Sequence, residues 1–125
     1  MASLKNFTEL NCWQACQELK AFVLSITRKF PKHEKYDLVD NMRRAVRSST
    51  RNIAEGFGRH TYKDNVHFVR MSRGSIYEVL DDFLTADLEG YLSESELKEG
   101  KEKIDKALAL TNGYIKYLNS LISKK

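Results

Sequence analysis

The sequence predicts an all-α protein, an antiparallel up-down four-helix bundle. Three observations carry that prediction. Apolar residues recur at alternating spacings of three and four in four separate stretches. Those stretches are bounded by capping residues, glycines and the single proline, Pro31. The connections between them are short, so successive helices must run side by side in opposite directions. With 125 residues the chain reads as one domain, 1–125, large enough to close one core without a disulfide or structural metal.

The first helix is expected over about residues 12–30, after a short leader at residues 1–10. Asn11 is the expected cap, with Gln14 at the capping-box position. Cys12, Cys16, Leu19, Val23, Ile26 and Phe30 form its apolar seam. Pro31 ends it, because the residue before a proline is pushed out of helical geometry. Cys12 and Cys16 lie one turn apart with no second pair and no nearby histidine. They read as buried, reduced core thiols and not as zinc ligands.

The second helix is expected over about 38–57, capped by Asp37. Val39, Met42, Val46, Ser49 and Ile53 make its buried row, and Arg43, Arg47 and Arg51 repeat at i, i+4, i+8 on another face. Gly56 and Gly58 are expected to end it with a left-handed cap. Thr61 caps a third helix, about 62–89, with Val66, Val69, Ile76, Leu80 and Phe83 inward. Gly74 interrupts that helix, which predicts a close approach of a neighbouring helix. Gly90 and Tyr91 read as its glycine C-cap. Ser93 and Glu96 form a capping box for a fourth helix, about 94–122. Its apolar face is wide, with Leu110, Tyr114, Tyr117 and Leu121 beside the main seam, and the surplus predicts a subunit interface.

Charge is segregated. Residues 28–73 carry twelve Lys/Arg against five Asp/Glu, a net +7; residues 74–105 carry three against ten, a net −7. The bundle topology brings the basic start of the second helix close to the acidic end of the third. Such blocks suit electrostatic pairing within or between subunits, or a polyanion partner. Arg43, Arg47, Arg51, Arg59 and Lys63 are the candidate nucleic-acid contacts, with Arg44 and Arg70 near them, and Tyr62, Phe57 and His60 are available for stacking. The rival use of the arginines is subunit assembly in a protein-interaction scaffold.

No catalytic constellation is present. His33, His60 and His67 are scattered and read as surface or loop residues; Ser48 and Ser49 have no histidine nearby to act as base. Glu55 has no acidic partner within one turn, and the Gly56-Phe57-Gly58 run follows a helix and is too short to cradle a phosphate. These residues imply no enzyme, metal or cofactor. No apolar run reaches the roughly 18 residues of a membrane span. The N-terminus lacks an apolar signal core, which predicts a cytoplasmic chain with no membrane partner.

Several motifs carry a family resemblance: Trp13-Gln14-Ala15 with Glu18-Leu19, Phe30-Pro31 with Glu34, Arg43-Arg44-Ala45, Asn52-Ile53-Ala54-Glu55-Gly56 with Arg59, and Gly74-Ser75 with Glu78. In these the chain resembles the bacterial 23S rRNA intervening-sequence protein family over nearly its whole length. The resemblance implies a non-catalytic helical bundle assembled into a homo-oligomeric ring, typically a homopentamer. That family is in turn similar to the accessory protein of diversity-generating retroelements, a basic pentameric barrel that binds nucleic acid and a reverse transcriptase. Carried over by position, the family residues are Arg43, Arg44, Asn52, Glu55, Gly56, Arg59, Gly74 and Glu78. In one reading Asn52 and Glu55 make polar contacts between helices or subunits, with Arg44 or Arg73 as partner. In the other, Arg43, Arg47, Arg51 and Arg59 form part of a basic ring surface. Asp40-Asn41 departs from the family pattern, in which a glutamine is expected before the double arginine.

Overall fold

The computed structural model describes residues 4–124. Among them are four helices and no strands: α1 (Asn11–Thr27), α2 (Leu38–Phe57), α3 (Tyr62–Leu88) and α4 (Glu94–Ser123). Two single 3-10 turns, Phe7–Glu9 and Lys32–Glu34, precede α1 and α2. Each helix packs on the next, and α4 returns to α1, so α1 lies diagonal to α3. The α1–α2 and α3–α4 connections meet at one end, where Tyr91 Oη donates to Glu34 Oε2 at 2.7 Å and Phe30 packs on the Tyr91 ring. The α2–α3 turn lies at the other end with the start of α1 and the close of α4.

The seams expected from spacing form the core. Cys16, Leu19, Val23, Met42, Val46, Ile53, Val69, Ile76, Phe83, Ile104 and Leu118 are all essentially fully buried. The α2–α3 contact differs in character, because small polar residues line it. Ser72 Oγ donates to the Ser49 carbonyl at 2.7 Å, and Ser75 Oγ donates to Ser48 Oγ at 2.9 Å. Each such bond satisfies a group that burial would otherwise strand.

Helix ends follow the expected chemistry at three places. Thr61 accepts from the Asp64 amide, Ser93 and Glu96 form the reciprocal box, and Gly90 takes φ +79 with the Tyr91 amide reaching back to the Ala86 carbonyl. Elsewhere the structure corrects the expectation. The box at the chain start is Asn6 with Glu9, on the 3-10 turn; Leu10 precedes α1 and Asn11 is its first residue. Phe7 packs edge-on against Trp13, 5.4 Å between ring centres, which holds the early turn in place and makes residues 7–10 part of the fold. Asp37 makes no capping bond; Glu34, buried, accepts from the Leu38 amide instead. Gly58 has φ −79 and Gly56 lies inside α2, so neither adopts a left-handed cap.

Candidate nucleic-acid interface

The three arginines repeating along α2 have different fates. Arg43 turns toward α1: Nε donates to Thr27 Oγ1 at 3.0 Å and Nη2 to the Leu24 carbonyl at 3.2 Å. It therefore caps the last turn of α1, where free carbonyls attract a cation. Arg47 and Arg51 are exposed one turn apart and form no ion pair among the described residues. Lys20 of α1 sits beside them, its ammonium on Thr50 Oγ1 at 3.0 Å. Partial burial, together with Arg47 and Arg51, holds its pKa below the ordinary lysine value. Arg44 pairs with Asp40 on its own helix.

Arg44, Arg47 and Arg51 form one wall of a groove of about 830 Å³ between α2 and α3, and Glu78, Asp81 and Asp82 line it from α3. Asp82 is half-buried; desolvation, then Asp81, Glu78 and Asp37, push its carboxyl up to about 6. Tyr77 is half-exposed in the groove. Gly74 lies there too, and a Cβ added to it would meet nothing within 4 Å. The close helix approach expected at Gly74 is thus absent within the chain. It occurs at Gly56, where a Cβ would crowd Asn65 and Phe68 of α3, and at Gly100, where it would overlap the Phe83 ring.

At the α2–α3 turn no carboxylate is among the residues lining the neighbouring groove. Arg59 pairs with Glu55 at 2.9 Å and lies over the Phe68 ring, 4.5 Å from its centre. His60 and Lys63 are exposed beside it, Lys63 in the first turn of α3. A second groove, about 420 Å³, opens at this end between Arg59, His60, Tyr62, Asn65, Tyr114 and Tyr117. Asn65 Nδ2 donates to Tyr114 Oη at 3.1 Å, and the Tyr114 and Tyr117 rings stack 17° from parallel. Tyr62 and Tyr117 are 45% and 43% exposed, so the groove carries part-exposed tyrosines from both α3 and α4.

A family model described as 23S rRNA-intervening sequence protein matches residues 8–113. The chain belongs to that family. No curated protein matches the chain. The 23S rRNA-intervening sequence match spans α1, α2 and α3 and the first two-thirds of α4. Tyr114 and Tyr117, one wall of the terminal groove, lie just past it.

The family-motif residues have local roles that the structure makes explicit. Asn52 bonds within α2 to the Ser48 carbonyl and hydroxyl, and Glu55 bonds to Arg59. Neither meets Arg44 or Arg73; Arg73 donates to Asn112 of α4. Ser48 and Ser49 serve the α2–α3 packing. Cys12 and Cys16 are buried and unpaired, as expected; burial, then Cys16, raises the Cys12 thiol to about 12. His33, His60 and His67 are exposed. No group of three or more His, Cys, Asp or Glu placed to hold a metal ion occurs among the described residues, and no described helix is long and apolar enough to cross a membrane. Sequence reading missed Gly100 and Asn65. Neither carries a pattern signal, since their roles depend on which helix lies opposite.

Proposed function

We propose that this chain is a non-catalytic, oligomeric bundle that binds nucleic acid in the cytoplasm, a structured RNA or an RNA–DNA intermediate, at its α2–α3 turn. The observation that carries the reading is the terminal groove, lined by part-exposed Tyr62 and Tyr117 with Arg59 and His60, next to exposed Lys63 in the first turn of α3. Aromatic faces accept unstacked bases of any sequence, and neighbouring cations hold the phosphates. Recognition of this kind favours loops, bulges and strand ends over a smooth duplex. The family name, which refers to an element of ribosomal RNA genes, supports an RNA partner. Arg43 serves the fold. Arg47 and Arg51 stand next to carboxylates that repel phosphate, so they contribute less to binding than their charge suggests. The ring, a homopentamer by family resemblance, would repeat the basic end several times and strengthen binding through multivalency.

The test is anisotropy of a labelled stem-loop RNA from about 50 to 200 mM salt. The expected result is an affinity that falls steeply with salt and weakens on Tyr117→Ala. A slope near zero, or no binding at low salt, overturns the reading.

A further inference from the structure

We infer that the cavity between the start of α1 and α4 holds an unpaired nucleobase carrying an exocyclic amino group, while the terminal groove beside it holds the adjoining phosphates. The inference rests on the nucleic-acid reading above and gives that site a base pocket.

The cavity measures about 430 Å³ and is continuous with the terminal groove in its lining: Leu4, Tyr114 and Tyr117 belong to both. Its size lies within the range of roughly 300–1,000 Å³ usual for small-ligand sites. Buried Leu10 and Cys12 give it apolar surface from α1 and the residue before it, and Ala109 and Leu110 give it apolar surface from α4. A base needs such surface for its faces and a few polar atoms for its edge.

Charge divides the two cavities. Arg59 and His60 line the terminal groove, and no carboxylate does among the described residues. The lining of the second cavity is the reverse: it includes Glu9, and no Lys, Arg or His among the described residues. A phosphate is therefore favoured on the first side and repelled on the second, while a neutral base is accepted on the second. Glu9 Oε2 accepts from the Lys5 amide at 2.7 Å and from the Asn6 amide at 3.4 Å, and Oε1 takes no part in those bonds. A carboxylate oxygen at a base edge accepts from an exocyclic amino group, as in the pairing of Glu or Asp with cytosine N4. Adenine, cytosine and guanine carry such a group. Uracil carries none and flanks its one N–H with two carbonyls, which a carboxylate repels. Exposed Asn11 stands in the same lining and offers both a donor and an acceptor.

Gly113 is the second, independent observation. Glycine inside a helix is unfavourable without a reason. Gly113 lies within α4, a Cβ added to it would meet nothing within 4 Å, and it lines this cavity. A side chain there would take up the space assigned to the base.

The experiment is anisotropy with stem-loop RNAs that differ at one loop position, which carries adenine, cytosine, guanine, uracil or no base. The parent chain, Gly113→Leu and Glu9→Gln are compared across the same salt series. The parent is expected to bind the amino-bearing loops at least fivefold more tightly than the uracil and abasic loops. Gly113→Leu is expected to bind every loop with the affinity of the abasic one, with its salt slope and melting transition unchanged. Glu9→Gln keeps an oxygen for the Lys5 and Asn6 amides and removes the charge, and it is expected to narrow the gap between cytosine and uracil. The inference is overturned if the parent binds all five loops alike, or if folded Gly113→Leu discriminates among them as the parent does. It is also overturned if Gly113→Leu changes the assembled mass and leaves RNA binding intact, which makes the cavity a protein contact. Salt-dependent binding without base discrimination removes the pocket alone; no binding to any loop at low salt removes the RNA reading with it.

Discussion

Gly56 of α2 and Asn65 of α3 approach so closely that no larger residue fits at the glycine. A Cβ there would lie 2.7 Å from Asn65 Oδ1 and 2.9 Å from the Asn65 backbone carbonyl. The carbonyl belongs to the first turn of a capped helix and cannot swing aside. Gly56→Ala is therefore expected to destabilise the protein by about 1 kcal/mol or more: overpacking costs roughly 1–3 kcal/mol, and the better helix propensity of alanine returns at most about 1. Urea denaturation checks the sign. A more stable Gly56→Ala variant would contradict the crowding.

Gly74→Ala should do the opposite. With nothing within 4 Å of the added Cβ, only the propensity term remains, and the monomeric chain should gain up to about 1 kcal/mol. The comparison belongs at concentrations where the chain is dissociated. Two glycines in one family motif set, substituted identically, then shift stability in opposite directions.

The fold was legible because its signals are local. Thr61, Ser93 with Glu96, and Gly90 with Tyr91 act within a few residues of themselves, and the seams of three-four spacing need only the helix period. What failed needed a partner from elsewhere. Asn6 with Glu9 and Asn11 with Gln14 are equivalent boxes in sequence; the contact of Phe7 with Trp13 selects the first. Arg43, Arg47 and Arg51 form one stripe in sequence, and only the position of α1 removes Arg43 from it. Tyr62 was legible as an aromatic residue next to the basic turn, but the groove it shares with Tyr117 required two ends of the chain to meet.

Arg43 thus has a test of its own. Arg43→Met keeps the apolar stem and removes the bonds to Thr27 and the Leu24 carbonyl. The expected loss is about 1–2 kcal/mol of stability, with RNA affinity unchanged below the melting transition. A variant that is fully stable but weak for RNA would return Arg43 to the interface.

Asp82 sets a pH dependence with a definite sign. Its folded pKa, about 6, lies above its ordinary value of 3.8. The charged form is disfavoured in the fold, so the residue destabilises the monomer above about pH 6 and ceases to do so below about pH 4. Asp82→Asn is expected to be more stable than the parent at pH 7. The two should converge as pH falls through this window, even while other carboxylates lower both. Melting temperatures of the pair across pH 4 to 7.5 give the answer, and a constant difference would exclude the desolvation account.

Cys12 and Cys16 are expected to resist thiol reagents in the native state and to react together on unfolding. The thiolate is the reactive form, and burial puts the Cys12 thiol up to about 12 and raises Cys16, tempered by the hydroxyls of Ser49, Thr111 and Ser72. Alkylation monitored by mass in buffer and in guanidinium measures this. Rapid labelling of either cysteine in buffer would show that the start of α1 opens.

Lys63→Glu is the substitution that isolates nucleic-acid binding from everything else. Lys63 is exposed, makes no ion pair among the described residues, and occupies the first turn of α3. A negative residue there suits the helix dipole better than a lysine, so stability should hold or rise slightly. Arg59 is less useful for this purpose, since its contacts with Glu55 and Phe68 tie it to the fold. Removing one phosphate contact should reduce the salt slope of RNA binding by about 1, and reversing the charge should weaken affinity further. The helical circular dichroism and the melting transition should not fall, because Lys63 is exposed and makes no ion pair among the described residues. If affinity and salt slope both survive, the turn is not the contact, whatever the rest of the basic surface does.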